Sequence, residues 1–232
     1  MKLRQLLTRA AVAGLLACPD PAEAVDLSGD VGLVSDYRFR GMTLSNGQPA
    51  AQASLSLESE SGPYVGAWAS TIREPGSKTS AEIDLYAGYE VEFSEAVGLD
   101  FVATYYAYPW DWGSNYLEAS ANLKLTSGIF ETDFGLGFVP KQPATEDESG
   151  RRHRSSYAYV QSAVAVPGTP IKLTVATGYE RGFFDETEHG GKWDWSAGVV
   201  LILAQVRAGV AYIGTDAPGE DGCLVASLFF EF

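Results

Sequence analysis

The chain has 232 residues, enough for one domain or a single barrel, with 46% hydrophobic, 20% charged and 12% aromatic residues. A formal net charge of −14 argues against nucleic acid as a partner and against a polybasic hold on anionic lipid. No run approaches the ~18 apolar residues of a membrane helix, and two cysteines, Cys18 and Cys223, exclude a disulfide framework.

The first residues read as an address. Lys2, Arg4 and Arg9 form a basic start, residues 10–17 a short apolar core, and Ala22-Glu23-Ala24 a small-x-small cleavage site. A secretory signal peptide is expected over 1–24, with the mature chain beginning at Val25. A lipoprotein box, Leu15-Leu16-Ala17-Cys18, is the rival, weakened by Leu16 at its position.

From there the chain alternates with the period of strands. Residues 26–40 carry Leu27, Val31, Leu33, Tyr37 and Phe39 on one parity and Asp26, Asp30, Asp36, Arg38 and Arg40 on the other. Residues 50–59 set Ala51, Ala53, Leu55 and Leu57 against Gln52, Ser54, Ser56 and Glu58. Residues 64–72 form a third strand of unclear parity, with Val65 and Ala67 competing with Tyr64, Trp68 and Ile72. The fourth, 81–93, sets Ile83, Leu85, Ala87, Tyr89, Val91 and Phe93 against Glu82, Asp84, Glu90 and Glu92. Strands follow at 97–108, 115–125, 129–139, 155–166, 171–181, 192–203 and 205–213. The last is Gly222 to Phe232, with Leu224, Ala226, Leu228, Phe230 and Phe232 on one parity and Val225 and Phe229 breaking the alternation. The turn between the tenth and eleventh strands has no Gly or Pro and is inferred from the parity flip near Ala204.

This pattern predicts an all-β, transmembrane, antiparallel up-and-down barrel of about twelve strands over 25–232. The strands are about ten residues long and even in number, as a tilted bilayer crossing requires. Connections alternate in length, with loops at 41–49, 73–80, 109–114, 140–154, 182–191 and 214–222 and tight turns between them. A soluble β-sandwich accounts for the alternation but not for the two loop lengths. Tyr37, Phe39, Tyr105, Phe138, Tyr157, Tyr179, Trp193 and Tyr212 near one end, with Tyr89, Phe93, Phe130 and Phe232 near the other, read as two interfacial girdles. A final strand with Leu228, Phe230 and a terminal Phe232 resembles the assembly signal of bacterial outer-membrane proteins, which implies barrel-assembly machinery as a partner.

The segment Ser35-Asp36-Tyr37-Arg38-Phe39-Arg40-Gly41, with Pro49-Ala50, Gln52, Tyr64-Val65-Gly66-Ala67-Trp68 and residues 82–89 (EIDLYAGY), resembles the TorF-like porin family of conserved hypothetical bacterial barrels. The likeness covers the mature chain in layout and is specific mainly in its first third. It implies an integral outer-membrane barrel and a pore, and brings no substrate or binding residues.

If the apolar parity meets lipid, the lumen receives Asp36, Glu58, Glu82, Asp84, Glu118, Asp133, Glu180 and Asp194, with Arg38, Arg40 and Arg207 among the bases. Asp30, Glu90, Glu131, Lys124 and Lys172 share that parity. Acids outnumber bases, so the expected function is a narrow passive channel for small polar solutes with cation preference. Its surroundings would be outer-membrane lipid and lipopolysaccharide. The alternative is a plugged barrel acting through its outer loops, because twelve strands enclose little space and buried charges must pair. Asp36, Arg38 and Arg40 suit either a constriction or ligand clamp, or an internal salt-bridge ladder. No cofactor, metal or enzyme is expected. His153-Arg154-Ser155 resembles the His-x-Ser pair of outer-membrane phospholipases but lacks an evident orienting acid a strand away. The acidic runs at Glu146-Asp147-Glu148, Asp185 to Glu188 and Asp216 to Asp221 read as solvated loops, with Ca²⁺ or lipopolysaccharide bridging as the alternative.

Overall fold

A computed structural model describes residues 25–73, 76, 78–187 and 190–232. The expected signal peptide with Cys18 lies outside the described residues, as does Glu188 of the acidic loop. Among the described residues twelve strands close into a barrel. They are β1 (Val25–Val34), β2 (Ala50–Ser59), β3 (Pro63–Thr71), β4 (Ala81–Ser94), β5 (Val97–Ala107) and β6 (Tyr116–Ser127). The second half is β7 (Phe130–Val139), β8 (Ser155–Ala165), β9 (Ile171–Gly182), β10 (Lys192–Leu203), β11 (Val206–Thr215) and β12 (Cys223–Glu231). Each pairs antiparallel with its neighbours. The cylinder closes where β1 meets β12, from Asp30 opposite Glu231 to Val34 opposite Ser227. Gly29 and Phe232 extend that seam by exchanging both backbone hydrogen bonds at 3.0 Å. Among the described residues no sheet edge is left unpaired, which is what a strand structure in hydrocarbon requires.

The alternation decides which side each residue takes. Leu27, Leu33, Leu55, Val65, Leu85, Phe101, Leu136, Val175, Trp193, Leu224 and Phe230 all project outward and are exposed. A continuous apolar surface around the whole circumference is a liability in water and an asset in lipid. Strands of 9 to 14 residues span about 30–45 Å at ~3.3 Å per residue, more than the roughly 25 Å apolar band of such barrels. The turn inferred near Ala204 is present as the two residues Ala204 and Gln205, Ala204 having φ 50°. The unclear third strand resolves as well. Val65 faces outward, while the Tyr64 hydroxyl donates to Asp100 inside at 2.7 Å and Trp68 packs on Tyr37.

Two expectations are corrected. The first strand does not run to Arg40. It ends at Val34, and the chain then folds into the barrel as a short hairpin of Arg38–Phe39 against Met42–Thr43. Consequently Tyr37 and Phe39 belong to no outer girdle. Tyr37 packs inside with Val34, Ala50, Ile72, Val225 and Phe229, and Phe39 packs against this cluster. Tyr157 also faces inward, its hydroxyl donating to Asp194 at 3.1 Å. Val225 and Phe229, which break the alternation of β12, are apolar inside because the folded-in chain gives them something to pack on.

The seam tolerates no bulk. A Cβ on Gly32 of β1 would lie 2.4 Å from the Leu228 carbonyl and from the Phe229 ring. Gly32→Val should therefore destabilise the barrel by about 1–3 kcal/mol, the usual range for overpacking. The check is a lower melting temperature of the heat-modifiable folded band, with Gly113→Val, where a Cβ meets open space, as the unchanged control.

Candidate functional site

The hairpin is built around Asp36. One carboxylate oxygen accepts from the Thr43 hydroxyl at 2.6 Å, the Ser45 hydroxyl at 2.9 Å and the Gly47 N–H at 3.2 Å, and the other accepts from Arg38 Nε at 2.7 Å. Such a short polar side chain can hold a reversal that contains no proline at its start. The base is fixed to the wall. Ser35 N–H donates to the Ala226 carbonyl, Ala226 N–H donates to Ser35 Oγ, and Arg73 N–H donates to the Leu44 carbonyl. At the tip, Arg40 and Gly41 have φ 49° and 83°. Positive φ at both central residues is the type I′ pattern of a two-residue hairpin turn. Gly41 is needed twice over, since a Cβ there would also lie 2.6 Å from Thr215 Cβ.

That tip carries Arg40 across the lumen. Its Nη2 donates to both oxygens of Glu118 at 2.7 and 2.6 Å, and its Nη1 donates to Glu180 at 2.6 Å. Glu118 is on β6 and Glu180 on β9, either side of β7 and β8, with β7 the strand opposite β1 in a twelve-stranded cylinder. The guanidinium carbon lies 4.2 Å from the Tyr157 ring centroid and 4.7 Å from that of Phe39. Burial by itself would weaken the guanidinium's charge. Glu180 and Glu118 more than offset that and raise its proton affinity above the ordinary value. Lys192 of β10 joins from the other side, 3.1 Å from Glu180, with its ammonium also meeting Met42 Sδ of the hairpin. The hairpin is thus a crossbar, rooted at β12, β1 and β3 and latched at β6, β9 and β10.

Around the crossbar lie further acids. Tyr108 donates to Glu82, which is fully buried, at 2.8 Å. Asp84 Oδ1 is buried and without a hydrogen-bond partner among the described residues, as is Asp194 Oδ2. A cavity of about 330 Å³ lies against Arg40, lined by Arg38, Phe39, Glu118, Asn122, Tyr157 and Tyr159, among others. Tyr157 and Tyr159 lie flat against bare backbone, since a Cβ on Gly178 or on Gly135 would come within 2.0 Å of their respective rings.

Of the residues expected to line a lumen, Asp36, Arg38, Arg40, Glu82, Asp84, Glu118, Glu180 and Asp194 gather in this tier at the long-loop end. Three do not join it. Glu58 lies at the short-turn mouth, Asp133 is bound by Gln161 at 2.8 Å, and Arg207 pairs with Glu231 at 2.7 Å over the Phe229 ring. Lys192 was not among the expected lining residues, although it shares parity with Asp194 two positions on. Glu220 of the last loop, 3.5 Å from Arg38, had no local signal.

The longest loop, 140–154, closes on itself at the rim. Asp147 accepts from the Ser149 hydroxyl, from His153 Nε2 at 2.6 Å and from the Arg151 N–H, and these bonds hold its carboxyl below the ordinary range. The Ser155 hydroxyl is buried and donates to the Arg181 carbonyl at 3.3 Å. No three His, Cys, Asp or Glu side chains converge as a metal site among the described residues.

The sequence profile of a bacterial family of unknown function, Gcw_chp, matches residues 19–225. No curated protein matches. Among solved structures, the NanC porin aligns at TM-score 0.58 and 9% identity, over 89% of this chain and 98% of that one. The KdgM porin aligns at 0.56 and 7%, over 88% and 98%. An outer-membrane channel from Pseudomonas putida F1 aligns at 0.52 and 12%, over 93% and 99%. At these identities the likeness is one of fold: the chain has the barrel fold of outer-membrane porins.

Asp36 makes the crossbar pH-dependent. Burial disfavours its ionised form, but hydrogen bonds from Thr43, Arg38 and Ser45 outweigh burial and hold its carboxyl below the ordinary value. A depressed folded value means stabilisation that is complete above the unfolded carboxyl value of about 3.9 and lost as pH falls through the folded one. The near-UV dichroism of the Tyr37–Trp68 pair, whose centroids are 5.3 Å apart, should hold down to pH about 4 and decline below it. Asp36→Asn should weaken that signal at neutral pH.

Proposed function

This chain belongs to the Gcw_chp family of bacterial proteins of unknown function, and for it we propose a narrow outer-membrane channel that passes small polar solutes with a preference for cations. The observation that carries this reading is the lumen tier itself. Among the described residues, Glu82, Asp84, Glu118, Glu180 and Asp194 on the wall are answered by Lys192 from the wall and by Arg38 and Arg40 from the crossbar. A low-dielectric passage with excess negative charge concentrates cations and repels anions. The porins among its structural neighbours support the channel part of the reading. An acidic polymer such as the oligogalacturonate in complex with the KdgM porin would meet repulsion in this lumen.

Export through the segment 1–24, assembly through Leu228, Phe230 and Phe232, and a surrounding of outer-membrane lipid and lipopolysaccharide belong to the same reading. The long loops would then face outward and the tight turns the periplasm. The segment from Ser35 to Gly41 is our basis for placing the chain with TorF-like porins.

The crossbar favours a second reading, in which the barrel is closed at rest and acts through its outer loops. Conductance of the refolded protein in a planar bilayer separates the two. Discrete steps with cation-selective reversal potentials in a salt gradient are expected, and Glu118→Gln should reduce the selectivity. Arg40→Ala should raise the unitary conductance severalfold by releasing the crossbar. A folded barrel that stays silent, in the wild type and in Arg40→Ala alike, would sink the channel and leave the closed barrel.

A further inference from the structure

The surroundings of Arg40 do not depend on its being part of this chain. Glu118, Tyr157, Glu180 and Asp194 stand on β6, β8, β9 and β10, four strands of the wall, whereas the guanidinium arrives on a loop. Two carboxylates take its two edges and an aromatic ring lies under its face, an arrangement that fits a planar cation with several donors better than a spherical ion. Once Arg40 is removed, the three acids face Lys192 and, from the crossbar, Arg38, which is itself paired with Asp36 and Glu220. Asp194 already has capacity to spare. It is only 9% exposed, one oxygen accepts from Tyr157, and the other has no hydrogen-bond partner among the described residues. The cavity of about 330 Å³ against Arg40 provides the approach.

We infer that this wall is a binding site for guanidinium and primary-ammonium solutes, and that Arg40 occupies it as a built-in stand-in for the solute. The inference rests on the channel reading, to which it adds the class of solute and a means of opening: an organic cation competes for Glu118 and Glu180 and frees the crossbar.

The test uses agmatine, a guanidinium compound without a carboxylate, titrated into the refolded full-length barrel in detergent. Its binding is read by calorimetry and by the melting temperature of the folded band, neither of which requires a conducting pore. Agmatine should bind Arg40→Ala at least tenfold more tightly than wild type and raise its melting temperature, with KCl of equal ionic strength as the reference. Adding Glu118→Gln and Glu180→Gln to Arg40→Ala should abolish both effects. Equal binding by wild type and Arg40→Ala, or binding that survives the two glutamine substitutions, would overturn the inference. If Arg40→Ala does not refold alone, its refolding yield in agmatine against KCl reads the same equilibrium: recovery supports the site, and equal failure overturns it. A silent bilayer beside saturable agmatine binding would remove the channel and leave the site.

Discussion

Everything inside this barrel is arranged about one guanidinium. Arg40 meets Glu118 and Glu180 at 2.6 Å each, and all three side chains are at most 8% exposed. The net contribution of such a cluster to stability is small, because desolvating three charges costs about what their attraction returns. Its contribution to position is large. Losing one member leaves the others buried and unbalanced, at about 3–5 kcal/mol for a fully buried pair. The cluster therefore specifies where the hairpin rests more than it strengthens the barrel, whose stability comes from a closed ladder and a lipid-facing surface. The two parts are joined at a packed root, where Tyr37 meets Val34, Ala50, Ile72, Val225 and Phe229, and at a charged tip, where Arg40 meets Glu118 and Glu180.

This division explains the segment from Ser35 to Gly41 residue by residue. Ser35 ties the exit of β1 to β12, Asp36 holds the reversal, and Tyr37 packs on Trp68 of β3. Arg38 doubles back onto Asp36 and the Gly41 carbonyl, Phe39 meets Tyr106 edge-on, Arg40 latches and Gly41 turns. In sequence the same segment looks like the end of a strand, because a hairpin is extended chain and keeps a period of two. Periodicity reports which side chains share a face. It does not report whether the extended segment stays in the wall or bends through it.

The barrel itself was legible for the same reason. Strand number, the short and long connections and the inward parity of Glu82, Glu118, Glu180 and Asp194 all follow from local alternation and turn residues. What joins Arg40 to Glu118 and Glu180 does not, since the partners lie 78 and 140 residues away and depend on how the cylinder closes. Lys192 lies within reach of parity, two positions before Asp194 on the same strand. The inward tyrosines do not, since Tyr157 and Tyr159 take their place only because Gly178 and Gly135 on neighbouring strands leave room for flat rings.

Charge at the two ends of the lumen is handled differently, and its magnitude differs with burial. Toward the short turns, Lys124–Glu90, Lys172–Glu131 and Arg207–Glu231 pair base with acid while remaining about a third to a half exposed. Water and salt screen such pairs, and each is worth about 0–1 kcal/mol. Asp26, Glu58, Glu60 and Glu92 line that mouth as well, so it is acidic but open to water. Toward the long loops, Glu82, Glu118, Glu180 and Asp194 are buried, and the cations that answer them among the described residues are Lys192 on the wall and two arginines on the folded-in hairpin. At 4 Å a unit charge interacts at about 4 kcal/mol in an effective dielectric near 20, and about 1 kcal/mol in water. A change of one charge in the buried tier therefore outweighs the same change at the mouth several times over. The crossbar brings Arg38 and Arg40 to that tier beside Lys192 of the wall, so where it rests sets the tier's net charge.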